Sequence, residues 1–318
     1  MNEKPVVYTE RMPTKVALIG HLFGSSCLAY SLPKLYTTVS LTTHKGTKDT
    51  WKINSNERLS YQSIDLYLKH LQAIKNQLGY EGGFFVQSNN SFPQGIGLSS
   101  SASSFSALTA CALKAICSRK EGVQKLNQAE MSALSAIGKD SSRHSFYSPW
   151  SIVENTSIIG ASFGGYDHLS HVALVVTEDK KRISTAQVLA LLEKNERAQE
   201  YKANVRKRVV MTHDHILKKN WKGIFECVWD DFNELQLLFS TSRPSFSFQT
   251  VEAREVLKQV KKWWDIYGDG PIVSMGIGYV VHLLFRKDQI EMKENMLSSL
   301  SFIEAIEGTY PIKETEQA

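Results

Sequence analysis

The stretch Pro93-Gln94-Gly95-Ile96-Gly97-Leu98-Ser99-Ser100-Ser101-Ala102 decides the fold, because it joins a glycine- and serine-rich turn to a segment of small residues. Glycines let the backbone turn tightly and come close to a ligand. Hydroxyl groups and free N–H groups at the start of a helix suit a phosphate anion. The stretch therefore predicts a phosphate-binding loop, whose contacting residues are Gly95, Gly97, Ser99, Ser100 and Ser101.

The loop is not a Walker A motif, because no Gly-Lys-Ser or Gly-Lys-Thr follows its glycines. Ser100 and Ser101 are the candidates to contact phosphate, and Ser101 is also the candidate contact for a metal ion. The alternative is purely structural: the turn caps a buried helix, and the serines serve as helix N-caps.

Composition narrows the class of protein. The chain has 318 residues, 42% of them hydrophobic and 22% charged, and its net charge is +5. That charge is too small for a dedicated nucleic-acid binder and suits an enzyme with anionic substrates. No C-x-x-C pair occurs among the cysteines, which indicates a reducing compartment; they are Cys27, Cys111, Cys117 and Cys227. Without an apolar leader or a membrane-length apolar run, the chain is predicted to be cytoplasmic, with no membrane partner.

Hydrophobic periodicity predicts an α+β fold. Short apolar or alternating runs predict strands at residues 15–19, 36–42, 84–88 and 172–177, and two strands around Gly276 within 271–285. Helical spacing of apolar residues predicts helices within 64–78, 101–116, 127–137, 205–216, 224–239 and 253–267. This order favours antiparallel pairing over an alternating βαβ sheet. Charged residues interrupt the pattern at 178–184, which predicts domains at 1–180 and 181–318.

Several segments together carry a family resemblance. The opening stretch matches the Pro-x-x-x-Gly-Leu-x-Ser-Ser-Ala pattern of the GHMP kinases, and residues 89–108 look like the loop region of diphosphomevalonate decarboxylases. Leu32-Pro33 fits the early Leu-Pro step of that family, and residues 272–276 fit its late strand. Residues 205–233 are similar to its helical block from Lys-Arg to Asp-x-Asn. The chain thus resembles the diphosphomevalonate decarboxylases over nearly its whole length.

The resemblance implies a fold and an activity. The fold is the two-lobed GHMP type, with a ribosomal protein S5 domain 2-like, ATP-binding N-terminal half and a ferredoxin-like C-terminal half. The activity is that of a carboxy-lyase using ATP and Mg²⁺. It phosphorylates the 3-hydroxyl of mevalonate 5-diphosphate, and loss of phosphate and CO₂ then gives isopentenyl diphosphate in the mevalonate route to isoprenoids. The implied partners are ATP and a phosphorylated small molecule, and a homodimer is left open.

The resemblance also implies roles for individual residues. Ser274 stands where the family carries its catalytic Asp in an Asp-x-Gly turn. Lys207 and Arg208 match the Lys-Arg block, and either Arg143 or His144 matches the arginine of the Ser-Gly-Ser-Ala-Cys-Arg loop, so these four are implied ligands of the substrate phosphate. The alternative for Lys207 and Arg208 is a solvated helix face, and that for Arg143 is a surface position.

Two departures from the family pattern keep other functions open. Ser274 replaces an Asp, and His21-Leu22-Phe23-Gly24-Ser25 replaces a Lys-Tyr-Trp-Gly-Lys run. Loss of a group that accepts a proton typically slows a reaction by ~10²–10⁴-fold, although phosphoryl transfer depends mainly on positioning. One alternative is therefore a kinase that does not decarboxylate, similar to the mevalonate 3-kinases. The other is a relative that binds a ligand without catalysis.

Overall fold

A computed structural model of the protein describes residues 5–21, 26–52, 59–122, 124–154, 157–177, 183 and 185–311. The chain forms two compact units. Unit 1 comprises Met1–Thr14, Leu35–Phe92 and Ser99–Phe146, and unit 2 comprises Lys15–Lys34, Pro93–Leu98 and Tyr147–Ala318. The mixture of helices and paired strands confirms the predicted α+β class. The predicted boundary between residues 180 and 181 lies outside the described residues and stays a prediction.

Two long strands run through both units, β1 (Val7–Ile19) and β2 (Ser26–His44). The other elements of unit 1 are β3 (Thr50–Trp51), α1 (Tyr61–Leu78), β4 (Gly83–Asn90), α2 (Ser100–Arg119), α3 (Gln128–Ala136) and a 3₁₀ helix at Asp140–Phe146. In this unit β4 pairs antiparallel with β2 and parallel with β3. Helices α1 and α2 pack together and contribute many side chains to its core.

Helix α2 is almost entirely buried although it is rich in serine. Small side chains let it pack closely, and its buried hydroxyl groups donate to carbonyls of the helix's own backbone. Ser104 Oγ donates to the carbonyl of Ser100 at 2.7 Å, and Thr109 Oγ1 donates to that of Phe105 at 2.8 Å. Because these polar atoms are paired, their burial does not carry the full desolvation penalty.

Unit 2 contains the remaining elements: β5 (Trp150–Glu154), β6 (Ser157–Ala161), β7 (Ser170–Val175), α4 (Thr185–Leu192), α5 (Ala198–Leu217), α6 (Trp221–Thr241), α7 (Val251–Tyr267), β8 (Ile272–Ser274), β9 (Val280–Phe285), α8 (Ile290–Ser299) and β10 (Glu304–Glu307). In this unit β5 pairs antiparallel with both β2 and β6. A second, antiparallel sheet has the order β10-β7-β9-β8. Among the described helices, none is long and apolar enough to cross a lipid bilayer.

The β8–β9 hairpin is the part of unit 2 that positions the candidate site. It confirms the prediction of two strands around Gly276, and it pairs Ser274 with His282 across the strands. Helix α6 packs against β8 and against α5. Polar side chains of α5 and α6 are therefore held in the same unit as the turn that follows Ser274.

Candidate active site

The glycine loop at residues 93–98 is fixed to the turn that follows β8. Tyr279 N–H donates to the carbonyl of Ile96 at 3.0 Å. A side chain at Gly278 would place its Cβ 2.7 Å from the Cα of Gly97 and from the Ile96 oxygen, so the two backbones are in direct contact. Gly95, with a φ of 82°, has open space where a Cβ would point. The loop is thus anchored at Ile96 and Gly97, and it borders open space at Gly95.

The serines that follow the loop lie at the start of α2 in unit 1. Ser99 is the N-cap residue with a left-handed φ of 54°, and its side chain makes no capping hydrogen bond. The structural alternative of N-capping by Ser100 and Ser101 is wrong, because both lie inside α2 and the N-cap residue is Ser99. Within the described chain, no group hydrogen-bonds to the hydroxyls of Ser99, Ser100 or Ser101. Their predicted contact with phosphate stays a prediction, and the hydroxyls suit that role.

Ser274 is the last residue of β8 and is only 1% exposed. Its hydroxyl donates to the carbonyl of Ala17 at 2.7 Å and lies 3.2 Å from Nε2 of His21. A serine has a single hydroxyl hydrogen, and the Ala17 carbonyl can only accept one. Nε2 of His21 must therefore be the donor to Ser274, which leaves Nδ1 of the same ring as an acceptor.

His21 is half-buried and electrically neutral. Its pKa is lowered to about 3, mainly by burial and also by the neighbouring Lys15 and His282. A Cβ on Gly276 would lie 2.4 Å from Nδ1 of His21, so the ring occupies space that only glycine leaves free. The predicted early-strand run continues with Leu22–Ser25, which lie outside the described residues.

Asp231 on α6 is fully buried and holds the backbone just before His21. Its Oδ2 accepts hydrogen bonds from Gly20 N–H at 3.2 Å and from Tyr201 Oη at 3.3 Å. Its Oδ1 lies 3.4 Å from Nη1 of Arg208. Burial raises the pKa of Asp231 to about 7, although these three donors oppose the shift. These hydrogen bonds therefore fix the position of Gly20, the residue before His21.

Lys207 and Arg208, predicted together as phosphate ligands, have different environments on α5. Arg208 is mostly buried and is paired with Asp231 and, at 2.5 Å, with Glu234. Lys207 is exposed, and no described acidic group pairs with it. A fully solvated face, the alternative for both residues, is wrong for Arg208. Binding of substrate phosphate stays a prediction for both.

Arg143 and His144 lie in the 3₁₀ helix of unit 1, where both are buried. Nη2 of Arg143 lies 2.9 Å from Oδ1 of Asp140. The alternative of a surface arginine is wrong, because Arg143 is only 7% exposed. The predicted contact of either residue with a substrate phosphate stays a prediction.

Comparison with known proteins agrees with these features. Residues 22–162 match the family described as the diphosphomevalonate decarboxylase-like N-terminal domain. The fold superposes with a TM-score of 0.88 on a mevalonate diphosphate decarboxylase from Legionella pneumophila, at 29% identity, covering 95% of this chain and 100% of that one. The chain is similar to the diphosphomevalonate decarboxylases in fold, and to their N-terminal domain in sequence over residues 22–162. These enzymes are members of the GHMP kinase superfamily, so the predicted GHMP-type fold is confirmed.

Two further solved relatives share the fold at lower identity. A mevalonate diphosphate decarboxylase from Staphylococcus aureus superposes with a TM-score of 0.83 at 20% identity, over 96% of this chain and 95% of that one. Another relative was solved in complex with MVAPP, AMPPCP and magnesium; its TM-score is 0.80 at 19% identity, over 96% of this chain and 98% of that one. No curated protein matches the sequence with significance.

Several residues that the fold of unit 2 brings together have no role predicted from the sequence. His21 appeared only as a departure from the family run, and Asp231 only as part of a helical block. Tyr201 and Gly278 were not singled out. A signal for Asp231 was available, because it is an acidic residue on the apolar face of a predicted helix. Nothing in the local sequence indicates that Gly278 must lie against the glycine loop.

Proposed function

We propose that this GHMP-type protein is a carboxy-lyase that uses ATP and Mg²⁺. It phosphorylates the 3-hydroxyl of mevalonate 5-diphosphate, and loss of phosphate and CO₂ yields isopentenyl diphosphate. The observation that carries the proposal is the anchoring of the loop 93–98 on the turn after Ser274. This contact joins the predicted nucleotide-phosphate loop to the segment that follows the predicted catalytic position.

The loop residues suit the phosphates of ATP. Gly95 borders open space, and the hydroxyls of Ser99, Ser100 and Ser101 have no partner in the described chain. Such groups bind phosphate oxygens at the start of a helix. Ser101 would in addition contact Mg²⁺, whose chemistry is to neutralise the charge that develops on the transferred phosphoryl group.

Magnesium is consistent with the residues present. No group of three His, Cys, Asp or Glu side chains capable of holding a metal ion occurs in the described residues. Mg²⁺ usually keeps several waters and is held by few protein ligands together with substrate phosphates. A solved relative of the same fold was obtained with AMPPCP and magnesium.

A second candidate function is a kinase that phosphorylates mevalonate or a relative without decarboxylation. It is favoured by the neutral groups at the predicted catalytic position, since Ser274 donates to Ala17 and burial keeps His21 uncharged. Phosphoryl transfer depends mainly on positioning and charge neutralisation, so it tolerates the loss of a carboxylate better than many other reactions.

An assay that follows ADP and labelled CO₂ separates the candidates. The acceptors to compare are mevalonate, its 5-phosphate and its 5-diphosphate. Release of both products from the 5-diphosphate supports the decarboxylase. ADP release without CO₂ supports the kinase. Release of neither product, from a protein that is folded by circular dichroism, would support a ligand-binding relative without catalysis.

Removing two loop hydroxyls should weaken nucleotide binding. Each hydrogen bond to a charged phosphate contributes roughly 1.5–3 kcal/mol, so the double variant Ser100→Ala, Ser101→Ala should bind ATP at least about tenfold more weakly. Isothermal calorimetry measures this affinity. The matched control is Ser118→Ala at the far end of α2, which should leave the ATP affinity unchanged. Unchanged ATP affinity in a folded double variant would show that the loop assignment is wrong.

The two basic residues of α5 should respond differently to substitution. Lys207→Ala should raise KM for a phosphorylated acceptor about tenfold or more, because one charge-assisted contact is lost. Its unfolding free energy should not change, since Lys207 is exposed. Arg208→Ala should lose stability as well, because Asp231 and Glu234 lose their cation. The exposed neighbour Arg206 provides the control. An equal rise in KM for Lys207→Ala and Arg206→Ala would contradict a specific role for Lys207.

A further inference from the structure

The residue at the predicted catalytic position is not placed to meet a substrate. Ser274 is 1% exposed, and its only hydroxyl hydrogen goes to the carbonyl of Ala17. To orient a substrate hydroxyl, Ser274 would have to break this buried hydrogen bond. A neighbour of Ser274, and not Ser274 itself, must therefore orient the acceptor hydroxyl.

His21 is the side chain that contacts Ser274 and remains partly exposed. Its Nε2 is fixed as the donor to Ser274, so Nδ1 carries a lone pair. Among the residues that the structure describes, none donates a hydrogen bond to Nδ1. The tautomer of the ring is therefore known. Its Nε2–H is bonded to Ser274, and its Nδ1 is a hydrogen-bond acceptor.

The backbone that precedes the ring is also held in place. Gly20 donates to the buried carboxyl of Asp231, and its φ is 77°. A Cβ at Gly20 would lie 2.2 Å from the carbonyl oxygen of Ser26, so only glycine fits at this position of the turn. The ring of His21 is thus positioned by Ser274 at Nε2 and by Asp231 through the preceding residue.

We propose that Nδ1 of His21 accepts the hydrogen bond of the acceptor hydroxyl and orients it for phosphoryl transfer, with Ser274 as the residue that positions the ring. This rests on the proposed phosphoryl-transfer function. The acceptor oxygen forms a bond to the γ-phosphorus of ATP, and the bond from that phosphorus to the departing ADP oxygen breaks. The hydroxyl proton passes to Nδ1 and from there to water.

A neutral imidazole is adequate for this step. In a loose transition state the attacking oxygen becomes strongly acidic only as its bond to phosphorus forms, so the proton leaves late. A weakly basic acceptor in the right place then suffices. Because burial holds the pKa of His21 near 3, the ring also returns its proton readily to water at neutral pH.

Two substitutions of His21 test the proposal as a matched pair. The amide of Asn places its oxygen near the position of Nδ1, whereas the longer Gln places its polar end near that of Nε2. His21→Gln should lower kcat by ~10²–10⁴-fold, the usual loss for a proton acceptor, with unchanged affinity for ATP. His21→Asn should retain kcat to within about tenfold of the native value. A Gln variant with native kcat, or equal losses in both variants, would overturn the proposal.

The positioning role of Ser274 needs a readout that general damage to the fold would not move. In ¹⁵N-histidine NMR spectra, the native protein should show His21 as the Nε2–H tautomer. Ser274→Ala should give a mixture of tautomers and a smaller loss of kcat than His21→Gln. A native spectrum with the proton on Nδ1 would overturn the assignment.

Failure of the proposed function gives a different result from failure of this inference. If the native protein releases no ADP with mevalonate, its 5-phosphate or its 5-diphosphate, the proposed function fails. The proposed contact between Nδ1 of His21 and the acceptor is then tested by binding mevalonate 5-diphosphate without turnover. The ¹⁵N resonance of Nδ1 in His21 should shift on its addition, and a saturable interaction that leaves this resonance unmoved, or no binding at all, would overturn the proposal.

Discussion

Gly278→Ala should separate the glycine loop from the turn after β8 and destabilise unit 2. Gly278 has a φ of 142°, and an added Cβ would lie 2.7 Å from backbone atoms of Ile96 and Gly97. The backbone strain and the loss of the hydrogen bond from Tyr279 to Ile96 together cost about 3 kcal/mol. Denaturation followed by tryptophan fluorescence measures this loss. Hydrogen exchange should become faster in the segment 276–285.

A matched control separates the contact from the general cost of a left-handed residue. Gly268 has a φ of 64° at the end of α7, and a Cβ there would meet nothing within 4 Å. Gly268→Ala should therefore cost only about 1 kcal/mol. It should leave ATP affinity unchanged, whereas Gly278→Ala should lower it if the loop binds nucleotide. Equal losses of stability in the two variants would contradict a tight contact between loop and turn.

Asp231→Ala should destabilise the protein by about 3–5 kcal/mol, the range for removing one partner of a buried ion pair. The carboxyl is fully buried, and its loss leaves Tyr201 and Gly20 without this acceptor and Arg208 with Glu234 as its remaining acidic partner. The turn before His21 should also loosen, so kcat should fall together with stability. Chemical denaturation and the ADP assay measure these two effects.

The pH dependence of stability tests the protonation state of Asp231. Its pKa is raised to about 7 in the folded protein from 3.8, so the folded state binds more protons than the unfolded state between these values. The stabilisation from this shift is full below pH 3.8 and is lost as the pH rises through 7, by at most about 1.4 kcal/mol per pH unit.

Asp231→Asn keeps the shape of the side chain but removes this titration. The stability of the native protein relative to the Asn variant should therefore decrease between pH 4 and pH 7. A relative stability that instead increases with pH would show that Asp231 is held ionised by Arg208, contrary to the raised pKa.

The sequence predicted those elements whose determinants are local. Helix α7 spans Val251–Tyr267, close to the predicted 253–267, because its apolar face is continuous, Thr250 caps its start and Gly268 ends it. The β8–β9 hairpin was predicted from two apolar runs around a glycine-containing turn. Strand β2 was predicted only over 36–42, where buried and half-buried residues alternate. Its first half, Ser26–Leu32, is buried on both faces and carries no alternating pattern.

For the candidate site, the sequence by itself determined the glycine–serine loop and the position of Ser274, because local backbone freedom and residue type suffice for such motifs. Only the tertiary structure decided how the polar groups are paired. Ser274 gives its hydroxyl hydrogen to Ala17, 257 residues away, and Asp231 accepts from Gly20, 211 residues away. Such pairings depend on which strands and helices pack together, and the desolvation of the buried groups then sets their charge. For this reason the role of His21 as a neutral acceptor could not be predicted from the sequence. It depends on the contact with Ser274, whose own hydroxyl hydrogen is already bonded to Ala17.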